Sequence, residues 1–372
     1  MYLERGYERF MIFIFGASKN GHNIKRILEK STDVCVDFYV DNNKKKQGLI
    51  MDGLKILSMD DMISKIEESY EESKVLVALL KPESVVNQIR ESRLAIKVFV
   101  LSGQYRLTPS LDSMMFHDAM CEIDYTLYRL DYLEVHVAHH CNLKCKGCGH
   151  MSNLVPEEFP SIEQFVKDLH QLKKYVWGIR RFRLLGGEPL LNPELPEYII
   201  ATREVYPDAD IVVVTNGLLI PYIKDIVLTT MRNNFVSFDV SCYPPTAEMK
   251  ERIECRCVEY DVQYGIGHEI DKFFRGLPVT EEKDPYIAFD TCGSKKCHFM
   301  LDGKISLCGV PILRDKFYKY SEKKTVCSEA IIDLYDDNLT SEKLHYLMTH
   351  PNRQCGFCSD EKEWFEWEGY SS

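Results

Sequence analysis

Cys141, Cys145 and Cys148 stand in the run HCNLKCKGCG at 140–149, just after the strand-like segment Tyr132 to Ala138. This CxxxCxxC spacing constrains the chain more than any other feature. It puts three thiolates on one short loop, and soft thiolates on such spacers can hold three corners of a cubic [4Fe–4S] cluster. The fourth iron is then left without a protein ligand. An open iron can chelate a small molecule and pass it an electron, whereas a cluster held by four cysteines mainly relays electrons. A zinc knuckle is the alternative, with His139, His140 or His150 as fourth ligand, although structural zinc sites are usually built from paired C-x2-4-C units.

At 372 residues the chain is long enough for two or three hydrophobic cores. Lysine and arginine number 46 against 57 acids, a net charge of −11, and no basic run offsets it, so nucleic acid is not an expected partner. The apolar runs Met11 to Phe15 and Ile211 to Val214 are too short to span a bilayer, and MYLERGYERF at the start has no signal-peptide core. A cytoplasmic protein without membrane contact is expected. Fourteen cysteines, several grouped as C-x3-C-x2-C and C-x2-C, then argue for metal ligation over disulfides. Cys35, Cys121, Cys255 and Cys257 fit no motif and read as free thiols.

Strand and helix patterns alternate twice along the chain. Met11 to Phe15 is a buried-strand run ending in a loop from Gly16 to Gly21, followed by a helical stripe of Ile24, Ile27 and Leu28 and a second strand, Cys35 to Val40, ending at Asp41. This is the order of a Rossmann-type half, in which a helix N-terminus faces phosphate and the later acid binds ribose hydroxyls. Gly16, Gly21 and Asp41 are therefore the candidate ligand site of an N-terminal α/β domain, with a docking module that binds no ligand as the alternative. Lys44, Lys45 and Lys46 read as a solvated turn, strands are expected at Lys74 to Leu80 and Ile96 to Leu101, and Gln104 to Asp131 as a connection. From Tyr132 onward strands are expected at Arg181 to Leu185, Ile211 to Thr215, Phe235 to Val240 and Val262 to Gly265. Helical stretches separate them, one opened by the capping box Ser161 to Gln164. Repeated βα units imply a parallel sheet whose site lies at the C-terminal strand ends.

Every suggestive motif falls at such an end. Gly186, Gly187 and Glu188 follow the second strand of this region; two glycines let backbone approach a ligand, and a carboxylate can accept from an ammonium group. Thr215 and Asn216 end the third strand. Ser237 and Asp239 share one face of the fourth, with Cys242 just beyond it. Further on, Asp302-Gly303 between two apolar runs signals a hairpin flanked by Cys292 and Cys308, and Cys355 and Cys358 form a C-x2-C pair. Those four thiols suffice for a second [4Fe–4S] cluster or for zinc, with Cys297 or Cys327 as an alternative to one of the four.

The cysteine triplet, the GGE at 186–188 and the TNG at 215–217 resemble the signature motifs of the radical S-adenosylmethionine (SAM) superfamily. The resemblance implies that Cys141, Cys145 and Cys148 hold a [4Fe–4S] cluster whose open iron chelates SAM. It also implies that Gly186, Gly187 and Glu188 bind the methionine amino group, and that Thr215, Asn216 and Ser237 line the SAM pocket. In that family an aromatic residue commonly precedes the third cysteine and cradles adenine; Gly147 stands there in this chain, and His150 or Met151 is the expected substitute. The C-terminal cysteines resemble auxiliary-cluster (SPASM and twitch) domains, and the N-terminal unit resembles the small nucleotide-sugar-binding domains of some sugar acyltransferases and polysaccharide-biosynthesis proteins.

These resemblances imply an α/β chain in three parts: a Rossmann-like domain at 1–115, a partial (β/α)6 TIM-type barrel at 116–290 and a small iron–sulfur domain of hairpin plus helix at 291–372. The implied activity is radical dehydrogenation of a sugar or nucleotide sugar, with flavodoxin or ferredoxin as reductase. Epimerisation with Cys242 as hydrogen donor is one alternative, and a non-catalytic iron–sulfur sensor or scaffold is another. The acidic, aromatic tail Glu363 to Tyr370 reads either as a cap on the second cluster or as a partner surface.

Overall fold

The structure, a computed structural model, describes residues 10–108, 111–276, 282–317, 327–359 and 361–369. The N-terminal residues 1–9, read above for an export signal, and Tyr370 lie outside them. Backbone contacts divide the chain into two compact units meeting at Leu127 and Tyr128.

The first unit is a seven-stranded sheet in the order β3-β4-β2-β1-β5-β6-β7. Its strands are β1 (Phe10–Phe15), β2 (Phe38–Val40), β3 (Ile50–Met51), β4 (Leu54–Leu57), β5 (Glu72–Val77), β6 (Lys97–Leu101) and β7 (Met120–Ile123). The β4-β2-β1-β5-β6 core is parallel, as continuous apolar strands connected through helices require. Ile24, Ile27 and Leu28 of the helix Lys19–Ser31 are buried in this unit's core together with Ile12, Ile14, Tyr39 and Leu76. The segment Gln104 to Asp131, expected as a connection, instead contains a helical turn, Phe116–Ala119, and the edge strand β7, paired antiparallel with β6. Four residues with no sustained alternation carry little periodic signal, and the partner strand supplies the order.

The expected loop from Gly16 to Gly21 is present. Gly16 has φ +110°, and a Cβ on Gly21 would stand 2.2 Å from the Gly16 carbonyl oxygen, so the turn closes only without side chains. Asp41 is already engaged: its carboxylate accepts from the Ala17 amide at 3.1 Å and from Lys46 Nζ at 2.9 Å. The expected turn at Lys44 to Lys46 is present, but the Lys46 ammonium folds back from it. It leaves the exposed Lys44 and Lys45 and also donates to the Ala17 carbonyl at 2.8 Å.

The second unit is built on an open eight-stranded sheet in the order β12-β11-β10-β9-β8-β14-β15-β16. Its strands are β8 (Tyr128–Ala138), β9 (Val176–Gly186), β10 (Asp210–Thr215), β11 (Ser237–Val240), β12 (Tyr264–Ile266), β14 (Phe299–Leu301), β15 (Lys304–Ser306) and β16 (Ile332–Asp333), while β13 (Lys272–Gly276) pairs separately with β17 (Lys362–Glu366). Strands β8 to β12 are parallel, and β14 adds a sixth parallel member beside β8. The sheet does not close into a barrel. The 291–372 segment is therefore no separate unit here; it joins the sheet of the preceding region through β14. Its hairpin forms as the Asp-Gly signal implies, with Asp302 and Gly303 both at positive φ.

Period-two alternation sorts this sheet's side chains. Leu133, Val135, Phe182, Leu184, Ile211, Val213 and Phe238 pack against the helices Ile162–Lys173, Leu195–Val205 and Asp225–Asn233, while Glu134, Arg183, Leu185 and Val214 reach a cavity on the opposite face. A buried ion pair sits among the helix-side elements: Arg129 donates to Asp208 at 3.0 Å with both side chains almost fully covered. Gly178 makes room for it, since a Cβ there would lie 2.3 Å from Asp208 Oδ2. No described helix is long and apolar enough to cross a membrane.

Candidate active site

A cavity of about 260 Å³ opens at the C-terminal ends of β8 to β11. Cys141, Cys145 and Cys148 all face it, together with Gly186, Gly187, Thr215 and Asn216. Motifs spread over 75 residues thus converge, as expected. Burial pushes the Cys141 thiol up to about 12. Among the described residues no three His, Cys, Asp or Glu side chains converge closely enough to cage a single ion; the three thiols are spread around a cavity wall instead. A space of this size, with three soft donors on one side and exposed backbone on the other, fits a cluster together with a small organic ligand.

The glycines have a role that the sequence did not reveal. A Cβ on Gly187 would lie 1.9 Å from the His140 carbonyl oxygen, and one on Gly186 would lie 2.0 Å from the Ala138 oxygen. The close approach they permit is to the backbone entering the cysteine loop. The Gly187 amide donates to the Ala138 carbonyl at 2.8 Å and the Glu188 amide to the His140 carbonyl at 3.0 Å, which completes the latch.

Glu188 is fully buried and does not face the cavity. Its carboxylate accepts from the Thr215 hydroxyl at 2.6 Å, the Asn216 amide at 2.9 Å and the Leu190 amide at 3.1 Å. Burial raises it to about 7, and the three donors oppose that rise. Its protein partners are all on adjoining loops, so here it ties the loops together. Asn216 does face the cavity and donates from Nδ2 to Asn142 Oδ1 at 2.7 Å.

Two cavity-lining charges were not singled out by the sequence reading. Glu134 on β8 and Arg183 on β9 are cross-strand partners. Arg183 donates to the Tyr132 hydroxyl at 2.5 Å and to Asp239 at 2.9 Å, and Tyr132 in turn donates to Glu134 at 2.5 Å. Charged residues at alternate positions of otherwise apolar buried strands were the signal that could have identified them. His150 also lines the cavity and begins a buried chain: His136 Nε2 lies 2.9 Å from its Nδ1, and His136 Nδ1 lies 3.3 Å from His139 Nδ1. Burial pushes His139 down to about 4, His136 well below the usual imidazole range, and His150 in the same direction.

Four expected contributors are placed elsewhere. Cys242 is buried and does not line the cavity, nor does Ser237, which sits at the far end of β11. Gly147 also stands outside the wall; the Phe365 ring covers it so closely that a Cβ would lie 2.7 Å from Cζ. Met151 packs with Phe299 and Phe317, not at the cavity.

Cys292, Cys308, Cys355 and Cys358 line a second, smaller cavity. Cys297 and Cys327 do not line it. Burial pushes the Cys308 thiol up to about 12, with the other three thiols adding to the rise. Four soft donors lining one cavity are a donor set that suits a cluster.

Residues 135–256 match the family model of the Radical SAM superfamily, so the chain carries a radical SAM domain that contains the triplet, the GGE and the TNG. The GTP 3′,8-cyclase of Clostridium acetobutylicum is 33% identical over 113 residues, 30% of this chain and 35% of the cyclase. That of Microcystis aeruginosa is 31% identical over 99 residues, 25% and 29% of the two chains. The chain thus spans about a third of the length of these curated relatives. Among solved structures, BtrN in complex with AdoMet and 2-DOIA shares 18% identity at a TM-score of 0.34, covering 62% of this chain and 93% of BtrN.

Proposed function

We propose that this chain is a radical SAM oxidoreductase that removes two electrons from a sugar or nucleotide-linked sugar, with an auxiliary [4Fe–4S] cluster as electron acceptor. With SAM bound, a reduced first cluster would supply hydrogen-atom abstraction from an unactivated carbon. Cys141, Cys145 and Cys148 would hold that cluster, and the exposed backbone of Gly186 and Gly187 with the Asn216 side chain would orient SAM. Glu134 and Arg183 of the cavity wall would offer a polyhydroxylated substrate both an acceptor and donors. Converting a carbinol to a ketone also releases a proton, which the cavity-facing carboxylate of Glu134 is placed to accept. A flavodoxin or ferredoxin would reduce the first cluster, and the Gly16 to Gly21 loop of the first unit is the proposed nucleotide site.

The observation that carries this reading is the presence of two separate cysteine-lined cavities in one compact unit, one with three thiols and one with four. Two cubane clusters correspond to about eight iron per chain, against about four with bound zinc if the second site is a zinc site. Anaerobic incubation with dithionite, SAM and candidate nucleotide sugars in heavy water, with GTP as a further arm, tests the chemistry. A new carbonyl together with 5′-deoxyadenosine supports dehydrogenation. Deuterium incorporation without net oxidation would favour epimerisation, and failure to cleave SAM would leave an iron–sulfur sensor.

A further inference from the structure

The described residues 361–369 of the C-terminal tail do not line the second cysteine cavity; they lie across the first cysteine loop. Strand β17 pairs antiparallel with β13, bringing Phe365 opposite Phe273, a residue of the first cavity's wall. Beyond β17 the chain is fixed at successive residues, first to the segment before β13 and then to the cysteine loop. The Trp367 amide donates to the Asp271 carbonyl at 2.7 Å, and the Lys146 amide donates to the Glu368 carbonyl at 2.8 Å. Lys146 Nζ also pairs with the Glu368 carboxylate at 3.1 Å. The Trp367 ring stacks on Tyr243 at 5.8 Å and 16°, and its Nε1 points at Cys145 Sγ from 3.2 Å.

We propose that Trp367 is a positioning residue for the first cluster, its indole N–H donating to the Cys145 sulfur and thereby raising the reduction potential of the cluster that this sulfur holds. The inference rests on the radical SAM reading of the triplet. An indole nitrogen is a donor only, so it favours a sulfur carrying more negative charge. Reduction adds an electron to the cluster and its thiolates, and hydrogen bonds to those sulfurs stabilise the more negative state. Tyr243 and the Glu368–Lys146 contacts hold the donor in place, so the bond needs little further ordering.

The test is a potentiometric titration of the reduced first cluster, followed by its electron paramagnetic resonance signal, in the full-length reconstituted protein without SAM. Trp367→Phe keeps a ring against Tyr243 and removes the donor, while Trp364→Phe, at an exposed position on the preceding strand β17, serves as control. The proposal expects full iron content in both variants and a midpoint displaced to more negative potential in Trp367→Phe alone. An unchanged midpoint, or an equal displacement in the control, overturns it. Should Trp367→Phe not fold, a benzothienyl-alanine at 367 keeps the bicyclic shape without the N–H, and the same criterion applies. A wild-type protein lacking the first cluster would refute the radical SAM reading itself, a result distinct from an unmoved midpoint.

Discussion

The Thr215 hydroxyl donates to Glu188 Oε1 at 2.6 Å, which ties the end of β10 to the loop that follows β9. The same carboxylate accepts the Asn216 amide, and the backbone of Gly187 and Glu188 is bonded to the entry of the cysteine loop. Three loops from three strands therefore form one piece. The position of Asn216 in the cavity wall follows from a carboxylate that never touches the cavity.

Removing that carboxylate should be costly. Glu188→Ala leaves a hydroxyl and two amides without their buried acceptor, and each such group costs about 1–3 kcal/mol. Denaturant unfolding should show a loss of at least about 2 kcal/mol, with SAM affinity weakened by roughly tenfold or more in equilibrium dialysis. Unchanged values for both would show that the three-loop tie does not support the site.

The glycine latch permits a sharper comparison. Gly187→Ala forces a Cβ onto the His140 carbonyl, whereas the space around Gly149 is open. Overpacking of this kind costs about 1–3 kcal/mol or more. Iron bound at the first site should therefore fall by more than half in Gly187→Ala and remain at the wild-type level in Gly149→Ala, as read by colorimetric iron assay after reconstitution.

Cysteine variants should sort by cavity. Cys355→Ser is expected to lower iron from about eight to about four per chain, while Cys297→Ser, outside the cavity wall, keeps about eight. Loss of iron in both variants would place Cys297 among the ligands.

The buried histidines set a pH dependence. Burial depresses His136, His139 and His150, so below about pH 6.5, where free imidazoles protonate, the unfolded chain binds more protons than the native state. Stability from this source is present above pH 6.5 and declines as the pH falls, with His139 contributing down to about 4. His136→Gln should reduce the slope of unfolding free energy against pH between about 6.5 and 4.5 by at most about 1.4 kcal/mol per pH unit. A slope equal to that of wild type would mean that His136 is protonated in the native protein.

The Arg129–Asp208 pair should behave as a buried pair does when one partner is deleted. Asp208→Ala leaves a covered guanidinium without its carboxylate and is expected to cost about 3–5 kcal/mol in denaturant unfolding. A loss below about 1 kcal/mol would show that water reaches the arginine.

Local pattern carried much of the architecture. The run from Met11 to Phe15, the stripe of Ile24, Ile27 and Leu28 and the Asp302-Gly303 hairpin all appear where neighbouring residues predict them, whereas the expected capping box forms only by half: Ser161 caps the helix, but the Gln164 side chain donates to Asp168 at 2.7 Å. Glu134 and Arg183 were legible in principle as charges on buried strands, but their pairing with Tyr132 and Asp239 joins three strands and has no local signature.

The sequence by itself determined the three-thiol loop, the strand ends on which GGE and TNG sit, and the alternation that turns one sheet face to helices and the other to a cavity. These depend on spacings of two to seven residues, which backbone geometry converts directly into shared faces and short loops. Only the tertiary structure decided that Glu188 turns inward as a latch and that Cys292, Cys308, Cys355 and Cys358 line one cavity without Cys297. It alone laid Phe365 over Gly147 and Trp367 against Cys145. Contacts between residues more than 200 positions apart follow from how sheets and loops pack, and a bare glycine before Cys148 leaves open which distant ring will fill the space beside it.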